Sequence, residues 1–229
     1  MDGAPERKRG IRSFVLRAGR TTAAQQRALE ELWPVFGLPR EPLPLDLPAL
    51  FGRQAPVVLE IGFGNGDTLV QQAVLNPDSD YIGVEVHRPG IGHCLLGIER
   101  AGIRNLRIIE HDALDVLRYQ FREGSLSRIN LYFPDPWPKK RHHKRRIVQP
   151  AFLELAASRL IAGGLLMIAT DWAGYAEHID EVLAASELFR VAERREHAGD
   201  APLDRPTTRF EKRGLGRGHR IWDWRLVRI

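Results

Sequence analysis

The feature that most constrains the fold is an apolar run followed directly by a glycine-rich turn. Residues 57–61 read Val-Val-Leu-Glu-Ile, and residues 62–67 continue as Gly-Phe-Gly-Asn-Gly-Asp. The apolar run has the length and composition of a buried strand, and residues 68–75 are expected to form a helix after the turn. A strand, a glycine turn and a helix in this order predict an α/β sheet with a ligand site beside the glycines.

The rest of the chain repeats this alternation of strands and helices. Six further strands are predicted at 81–86, 106–110, 129–133, 165–169, 189–192 and 220–228. Helices are predicted at 22–32, 90–101, 113–121, 147–161 and 174–186, and the proline-rich residues 34–56 are expected to be irregular. The alternation predicts a doubly wound, mostly parallel, seven-stranded sheet with helices on both faces and an antiparallel last strand.

The composition is that of one globular domain with a basic N-terminal extension. The 229 residues carry 34 Lys and Arg against 29 Asp and Glu. Residues 1–22 are rich in Arg and Lys and are predicted to form a flexible arm, and residues 23–229 a single domain. The net charge of +5 favours a polyanionic partner, although arginines scattered by genomic composition would give the same value.

Several kinds of site and location are not indicated by the sequence. Cys94 is the only cysteine, which leaves no intrachain disulfide and no thiolate metal site, and no metal is expected. Residues 1–20 are charged from the start, unlike a signal peptide. The longest nearly apolar run, 160–169, is shorter than the roughly 20 residues of a membrane helix. We expect a cytoplasmic protein without a membrane partner, either a monomer or a homodimer.

Four acids lie where predicted strands end, and a fifth follows the next strand. They are Glu60, Glu85, Asp112, Asp135 and Asp171. Any one of them alone could cap a helix or lie in a solvated turn. The carboxyl ends of parallel strands, however, meet at one edge of a sheet, where ligands bind. Together the acids predict an acidic ligand site at that edge.

The glycine spacing distinguishes between cofactors. A dinucleotide loop would read GxGxxG, with a pyrophosphate at the helix N-terminus. Here the spacing is GxGxG from Gly62, flanked by Glu60 and Asp67, and these carboxylates suit a cofactor with an ammonium or sulfonium group. Glu85 is expected to accept hydrogen bonds from ribose hydroxyls, and Asp112 from an adenine amine. S-adenosylmethionine (SAM) fits these groups, with NAD as the alternative.

A second unusual stretch combines an aromatic turn with a run of cations. The predicted strand at 129–133 is followed by Pro134-Asp135-Pro136-Trp137-Pro138, whose prolines impose a stiff turn. Six cations and two histidines then follow at 139–146 without an acid. Such a run is usually a solvated helix face. Its position beside the Asp135 turn favours binding to the phosphate backbone of a nucleic acid.

These motifs resemble those of the bacterial tRNA (guanine-N7-)-methyltransferase family over most of the chain. The resemblance rests on residues 12–17, 59–64 and 83–85, on 133–137 with the following basic run, and on 208–214. It implies a class I methyltransferase fold, which is Rossmann-like. It also implies transfer of the methyl group of SAM to N7 of a guanine in the variable loop of tRNA.

The resemblance also implies roles for individual residues. By matching position, the cofactor would be bound by Glu60, Gly62, Gly64, Glu85, Asp112 and Asp135, with Asp135 also the catalytic residue. The substrate-binding residues would be Lys139, Asp171, Thr208, Arg209, Phe210 and Glu211. The RNA-binding residues would be Arg141, His142, His143, Lys144, Arg145 and Arg146.

The implied reaction determines which groups the active site needs. Guanine N7 has a free lone pair and no proton, so methyl transfer to it needs no general base. Asp135 and Asp171 would accept hydrogen bonds from the guanine edge, and Trp137 or Phe210 would stack on the base. Glu211 is equally interpreted as a partner of the nearby Arg213. A methyltransferase for another RNA, a protein or a small molecule, and a non-catalytic RNA-binding module, stay open as alternatives.

Overall fold

A central β-sheet organises the computed structural model, which describes residues 13–14, 19–199 and 202–229. The strands are β1 (Gly37–Leu38), β2 (Val57–Ile61), β3 (Asp80–Glu85), β4 (Leu106–Glu110), β5 (Leu126–Tyr132), β6 (Leu160–Thr170), β7 (Phe189–His197) and β8 (Ile221–Arg228). The helices are α1 (Ala23–Glu31), α2 (Trp33–Phe36), α3 (Leu47–Phe51), α4 (Asp67–Leu75), α5 (Arg88–Ala101), α6 (Ala113–Gln120), α7 (Pro150–Arg159), α8 (Ala173–Ala184) and α9 (Arg209–Leu215). A 3₁₀ helix spans Lys140–Arg145.

The sheet order places a ligand site between two strands. The order is β1-β4-β3-β2-β5-β6-β8-β7. Strands β1 to β6 pair in parallel, and β8 lies antiparallel between β6 and β7. The chain moves outward from β2 to β4 and then returns to β5, on the other side of β2. This reversal makes the carboxyl ends of β2 and β5 the switch point at which such sheets bind ligands.

The core lies on both faces of the sheet, because successive side chains of a strand point to opposite faces. Leu59 and Ile61 of β2 pack into one core with residues of α6, α7 and α8. Val58, which precedes Leu59 in the strand and points to the opposite face, packs into a second core with residues of α1, α4 and α5. This layering confirms the predicted doubly wound α/β class with helices on both faces.

Within the described residues, the sheet has eight strands rather than the predicted seven. The additional strand, β1, is a two-residue strand within residues 34–56, which also contain α3 and most of α2. These elements are short because the prolines of this stretch interrupt regular hydrogen bonding. The 3₁₀ helix and α9 are also absent from the sequence prediction, whereas the antiparallel last strand is confirmed by β8.

Some sequence predictions fall outside the described residues. Of the predicted arm at 1–22, only residues 13–14 and 19–22 are described. The assignment of 23–229 to a single domain stays a prediction. Within the described ranges, no helix is long and apolar enough to cross a membrane. The same ranges contain no group of three or more His, Cys, Asp or Glu side chains placed to hold a metal ion.

Candidate active site

A pocket of about 350 Å³ opens at the carboxyl ends of β2, β3 and β5. This volume lies within the range of roughly 300–1,000 Å³ that is usual for small-molecule sites. Among the predicted cofactor residues, Gly62, Gly64, Glu85 and Asp135 line the pocket, whereas Glu60 and Asp112 do not. The other lining residues are Ser13, Phe14, Ile61, Val84, Val86, His87, His111, Ala113, Leu131, Tyr132, Phe133, Pro134, Ile147 and Phe210.

The glycine turn needs its glycines for conformation and for space. Gly62, Gly64 and Gly66 have φ angles of 69°, 61° and 78°, a region that side-chain-bearing residues rarely adopt. A Cβ atom at Gly66 would collide with Cys94, and one at Gly90 would collide with the carbonyl of Gly64. No heavy atom lies within 4 Å of the Cβ position at Gly62. Bare backbone therefore faces the open pocket at this point.

Glu85 ends β3 with its carboxylate fixed by backbone donors. Oε2 accepts the N–H of Gly64 at 2.9 Å, and Oε1 accepts those of Val86 and His87 at 2.6 and 3.0 Å. A carboxylate has about four acceptor sites, so these three bonds orient the group and leave about one site for a ligand. The remaining site is on Oε2, which already accepts the Gly64 N–H, because Oε1 accepts two backbone N–H groups.

Glu60 lies beneath the glycine turn and not on the pocket wall. Its side chain points to the same face of the sheet as Val58 and is almost fully buried. Gln72 of α4 donates a hydrogen bond to Oε2 at 3.1 Å, and Asn130 donates to Gln72 at 3.3 Å. Burial raises the pKa of Glu60 to about 7, although the hydrogen bonds from Asn130 and Gln72 act in the opposite direction. A direct contact with a cofactor stays a prediction for this residue.

The raised pKa of Glu60 predicts a pH-dependent stability. Between pH 4.5 and about 7, the folded protein holds a proton on Glu60 that the unfolded chain has lost. The free energy of unfolding therefore falls as the pH rises through this window. Glu60→Gln removes this titration. The difference in the free energy of unfolding between the variant and the unmodified protein should therefore rise in favour of the variant by about 3 kcal/mol from pH 4.5 to about 7.

Urea unfolding at intervals from pH 4.5 to 8 measures this difference. The control is Glu123→Gln, which removes a carboxylate from an exposed position. A stability difference between Glu60→Gln and the unmodified protein that stays constant with pH would show that Glu60 does not titrate in this way.

Asp112 has the role of a helix cap. Its Oδ1 accepts the N–H of Leu114 at 3.0 Å, which satisfies one of the free donors at the start of α6. The neighbouring His111 and Ala113 line the pocket instead. His111 was not among the predicted site residues, and its only signal in the sequence is its place at the end of a strand.

The turn after β5 holds Asp135 at the rim of the pocket. Phe133 and Trp137 on either side have φ angles of 52° and 45°, an unusual and costly conformation for large side chains. The Trp137 indole donates to the Ser13 carbonyl at 3.0 Å, and the guanidinium carbon of Arg145 lies 3.8 Å from its ring centroid. Asp135 is exposed and faces the pocket opening. Because Arg145 covers one face of Trp137, that ring is less suited to stack on a base.

Helix α9 brings Phe210 to the pocket. Thr208 caps this helix by accepting the Glu211 N–H at 3.0 Å, and Glu211 in return accepts the Thr208 N–H at 3.2 Å. Both side chains are buried, and Glu211 pairs with Arg205 and not with Arg213. Phe210 and Arg209 point outward, and Phe210 is 50% exposed. Of the predicted stacking residues, Phe210 therefore has the more accessible ring.

The remaining predicted substrate residues lie outside the pocket wall. Asp171 follows β6 and contacts the end of α9, where His219 Nδ1 lies 3.3 Å from its Oδ2. A Cβ atom at Gly214 would come within 2.9 Å of the same oxygen, so the glycine allows α9 to pack closely here. Lys139 is exposed at the start of the 3₁₀ helix. Their contacts with a substrate stay predictions.

The 3₁₀ helix divides the basic run into an exposed and an inward-facing set. The exposed cations are Lys139, Lys140, Arg141 and Lys144. Arg145 donates to the Phe14 carbonyl at 3.2 Å and contacts Trp137, and His142 packs edge-on against the same ring. Desolvation and then the surrounding cations, Arg141 first, lower the pKa of His142. The positive charge of the exposed surface therefore comes from lysines and arginine.

Arg146 is placed differently from its predicted role in RNA binding. Its guanidinium is buried, with only 4% of the residue exposed. It donates to the carbonyls of Pro136 at 2.9 Å and Gly174 at 3.0 Å, and Nη2 lies 3.2 Å from the ring of His143. These bonds attach the proline turn to α8. Because this cation is buried and its donors are engaged, we leave Arg146 out of the proposed interface, and its contact with RNA stays a prediction.

Comparisons with known proteins assign the chain first to a class and then to a family. A family model described as "Putative methyltransferase" matches residues 54–224. A variant 16S rRNA (adenine(1408)-N(1))-methyltransferase from Catenulisporales acidiphilia, solved with cosubstrate SAM, has the same fold. Its TM-score is 0.56 at 16% identity, over 84% of this chain and 93% of that one. The family model and the shared fold therefore define a class I methyltransferase.

The family follows from close relatives in sequence. The tRNA (guanine-N(7)-)-methyltransferase of Alkalilimnicola ehrlichii is 53% identical over 94% of this chain and 92% of its own length. That of Aeromonas hydrophila subsp. hydrophila is 52% identical over 96% and 93%. The chain belongs to the tRNA (guanine-N(7)-)-methyltransferase family, as the sequence motifs indicated.

Proposed function

We propose that the protein transfers the methyl group of SAM to N7 of a guanine in the variable loop of tRNA, in the cytoplasm. The observation that carries this proposal is the position of the exposed cations. Lys139, Lys140, Arg141 and Lys144 follow directly on the turn that holds Asp135 at the pocket rim. A phosphate backbone bound to these cations would bring a neighbouring base to the pocket.

The pocket fits SAM on three features of the chain. The bare backbone at Gly62 leaves room for a ligand to approach, as a side chain there would not. Glu85 is an oriented acceptor for a ribose hydroxyl, and Asp135 is an exposed carboxylate at the rim, suited to a cationic group. Bound there, SAM would supply an electrophilic methyl group on a sulfonium. Gly62, Gly64, Glu85 and Asp135 would hold it.

The residues at the rim provide what methylation of N7 requires. The nucleophilic lone pair is free, so the protein must hold the base in line with the methyl group and tolerate the positive charge that develops on it. Asp135 would accept hydrogen bonds from the guanine edge and offset this charge. Phe210 would stack on the base, a contact worth roughly 1–3 kcal/mol.

The exposed cations predict a salt-dependent affinity for tRNA. Arg141→Gln with Lys144→Gln removes two phosphate contacts, so the slope of log affinity against log salt should become shallower by about 1.4–1.8. The control carries Arg104→Gln and Arg122→Gln. Both arginines are exposed and lie near the amino ends of β4 and β5, away from the pocket. Filter binding at several salt concentrations measures both slopes. Equal slopes for the two variants would remove the 3₁₀ helix from the RNA interface.

Methylation of unmodified tRNA tests the function itself. The protein is incubated with tRNA transcripts and SAM labelled in the methyl group, and the RNA is then cleaved chemically at N7-methylguanine. We expect label in the RNA and cleavage at one site in the variable loop. Label without cleavage would place the methyl group on another atom, and label on proteins alone would overturn the assignment to tRNA.

A further inference from the structure

A buried group of four charged or titratable side chains lies behind α9. The group consists of His197 in β7, Arg205 in the loop before α9, Glu211 in α9 and Asp223 in β8. Each has at most 2% of its side chain exposed. Arg205 donates from Nε and Nη2 to Asp223 Oδ1 at 3.0 and 2.9 Å, and from Nη1 to Glu211 Oε2 at 2.5 Å. His197 Nε2 lies 2.8 Å from Asp223 Oδ2.

Arg205 joins three parts of the site through one planar group. Its guanidinium carbon lies 5.3 Å from the ring centroids of both Tyr132 and Phe133, which line the pocket. Its hydrogen bonds reach β8 through Asp223 and the cap of α9 through Glu211. A guanidinium presents its donors in a rigid fork, so the start of α9 has a defined distance from the sheet.

The burial of this network is unfavourable in free energy. Several charges removed from water seldom add net stability, even when they are paired. In addition, Glu211 Oε1 and His197 Nδ1 have no hydrogen-bond partner among the described residues. An apolar contact could attach α9 to the sheet at lower cost, but it would not hold the helix at one angle. The arrangement is explained if the orientation of α9 matters for the site.

We propose that Arg205 and Asp223 are positioning residues that hold Phe210 over the pocket for base binding. Neither residue lines the pocket, so they act through α9. Phe210 is adjacent to Glu211, and its ring approaches the glycine turn: its Cε2 lies 3.4 Å from the position that a Cβ atom at Gly64 would occupy. The inference rests on the proposed function, because it assigns Phe210 to the guanine.

A double-mutant cycle separates positioning from a general loss of stability. Arg205→Lys keeps the charge but removes the fork, and Phe210→Ala removes the ring. Each should lower kcat/KM for tRNA by about 30-fold, within the roughly 5- to 150-fold loss that corresponds to a base-stacking contact of about 1–3 kcal/mol. If Arg205 acts through Phe210, the double variant should be no worse than the single ones, whereas independent effects multiply to about 900-fold. Multiplied effects would overturn the proposal.

Arg194→Lys is the matched control. Arg194 makes the same two-donor contact with a carboxylate, Asp180, on the other face of β8 beside Trp224. It should change kcat/KM by less than about twofold, in line with exposed ion pairs. All variants are assayed at temperatures where circular dichroism shows them to be folded.

A second variant and the unmodified protein complete the test. If Arg205→Lys does not fold, Asp223→Asn replaces it in the cycle. If neither folds, the network is a stability element and the positioning role is rejected. An unmodified protein that does not methylate tRNA would overturn the proposed function and this inference together. Normal methylation with multiplied effects would reject the inference alone.

Discussion

Asp135→Ala is expected to lower kcat for tRNA methylation by roughly 100-fold or more, while the protein stays folded. Loss of a group that stabilises charge in a transition state typically costs about 10²–10³ in kcat. Asp135 is exposed at the pocket rim, so its removal leaves no cavity in the core. Radiolabelled methyl transfer under saturating SAM and tRNA measures kcat, and thermal unfolding checks the fold.

The control for Asp135 is Asp78→Ala. Asp78 is also an exposed aspartate that follows a proline, but it lies in the turn before β3, at the amino ends of the parallel strands and away from the pocket. It should leave kcat unchanged. Asp135→Asn is a further comparison, because it retains an acceptor without the charge. Full activity in Asp135→Ala would contradict any role of this carboxylate in catalysis.

Glu85→Gln should weaken SAM binding by about 10- to 100-fold, because a hydrogen bond to a charged group contributes roughly 1.5–3 kcal/mol. The amide also has one oxygen where the carboxylate has two. Its NH₂ group would therefore face a backbone donor from either Gly64 or the Val86–His87 segment. Titration calorimetry with SAM and the unmodified protein as reference gives the change in Kd.

Glu110→Gln is the matched control for Glu85. Glu110 ends β4 directly beside Glu85 in the sheet register, but it pairs with Arg40 and does not line the pocket. Its SAM affinity should stay within about twofold of the unmodified protein, since a partly exposed ion pair contributes little. Equal losses in the two variants would mean that Glu85 has no specific contact with the cofactor.

The strands and the pocket edge were predictable because their signals are local. The run at 57–61 is apolar except for Glu60, as is typical of a strand buried on both faces, and the glycines after it mark a turn. The end of each strand then follows from the pattern, and Glu85 and Asp135 do line the pocket, whereas their roles in binding stay predictions. The two-residue strand β1 was missed since its pairing with β4 has no local signal.

Roles within a motif were less predictable than the motif itself. Thr208, Arg209, Phe210 and Glu211 were assigned together to the substrate, but the helix that they begin turns two of them outward and two into the protein. The basic run is similar, because Arg146 is buried whereas Arg141 is exposed. The sequence of a motif gives the charge and size of its side chains, whereas the helical backbone determines which of them point to solvent and which point into the protein.

The sequence by itself determined the α/β class, the family, and the strand ends at which the pocket lies. These depend on hydrophobic periodicity, on glycines and on motifs, all of which are short-range properties. Only the tertiary structure decided that Glu60 is buried beside Gln72 and that Arg205 joins Glu211 to Asp223. Such contacts join residues of different elements. They exist only after the chain has folded and water has been removed from between them.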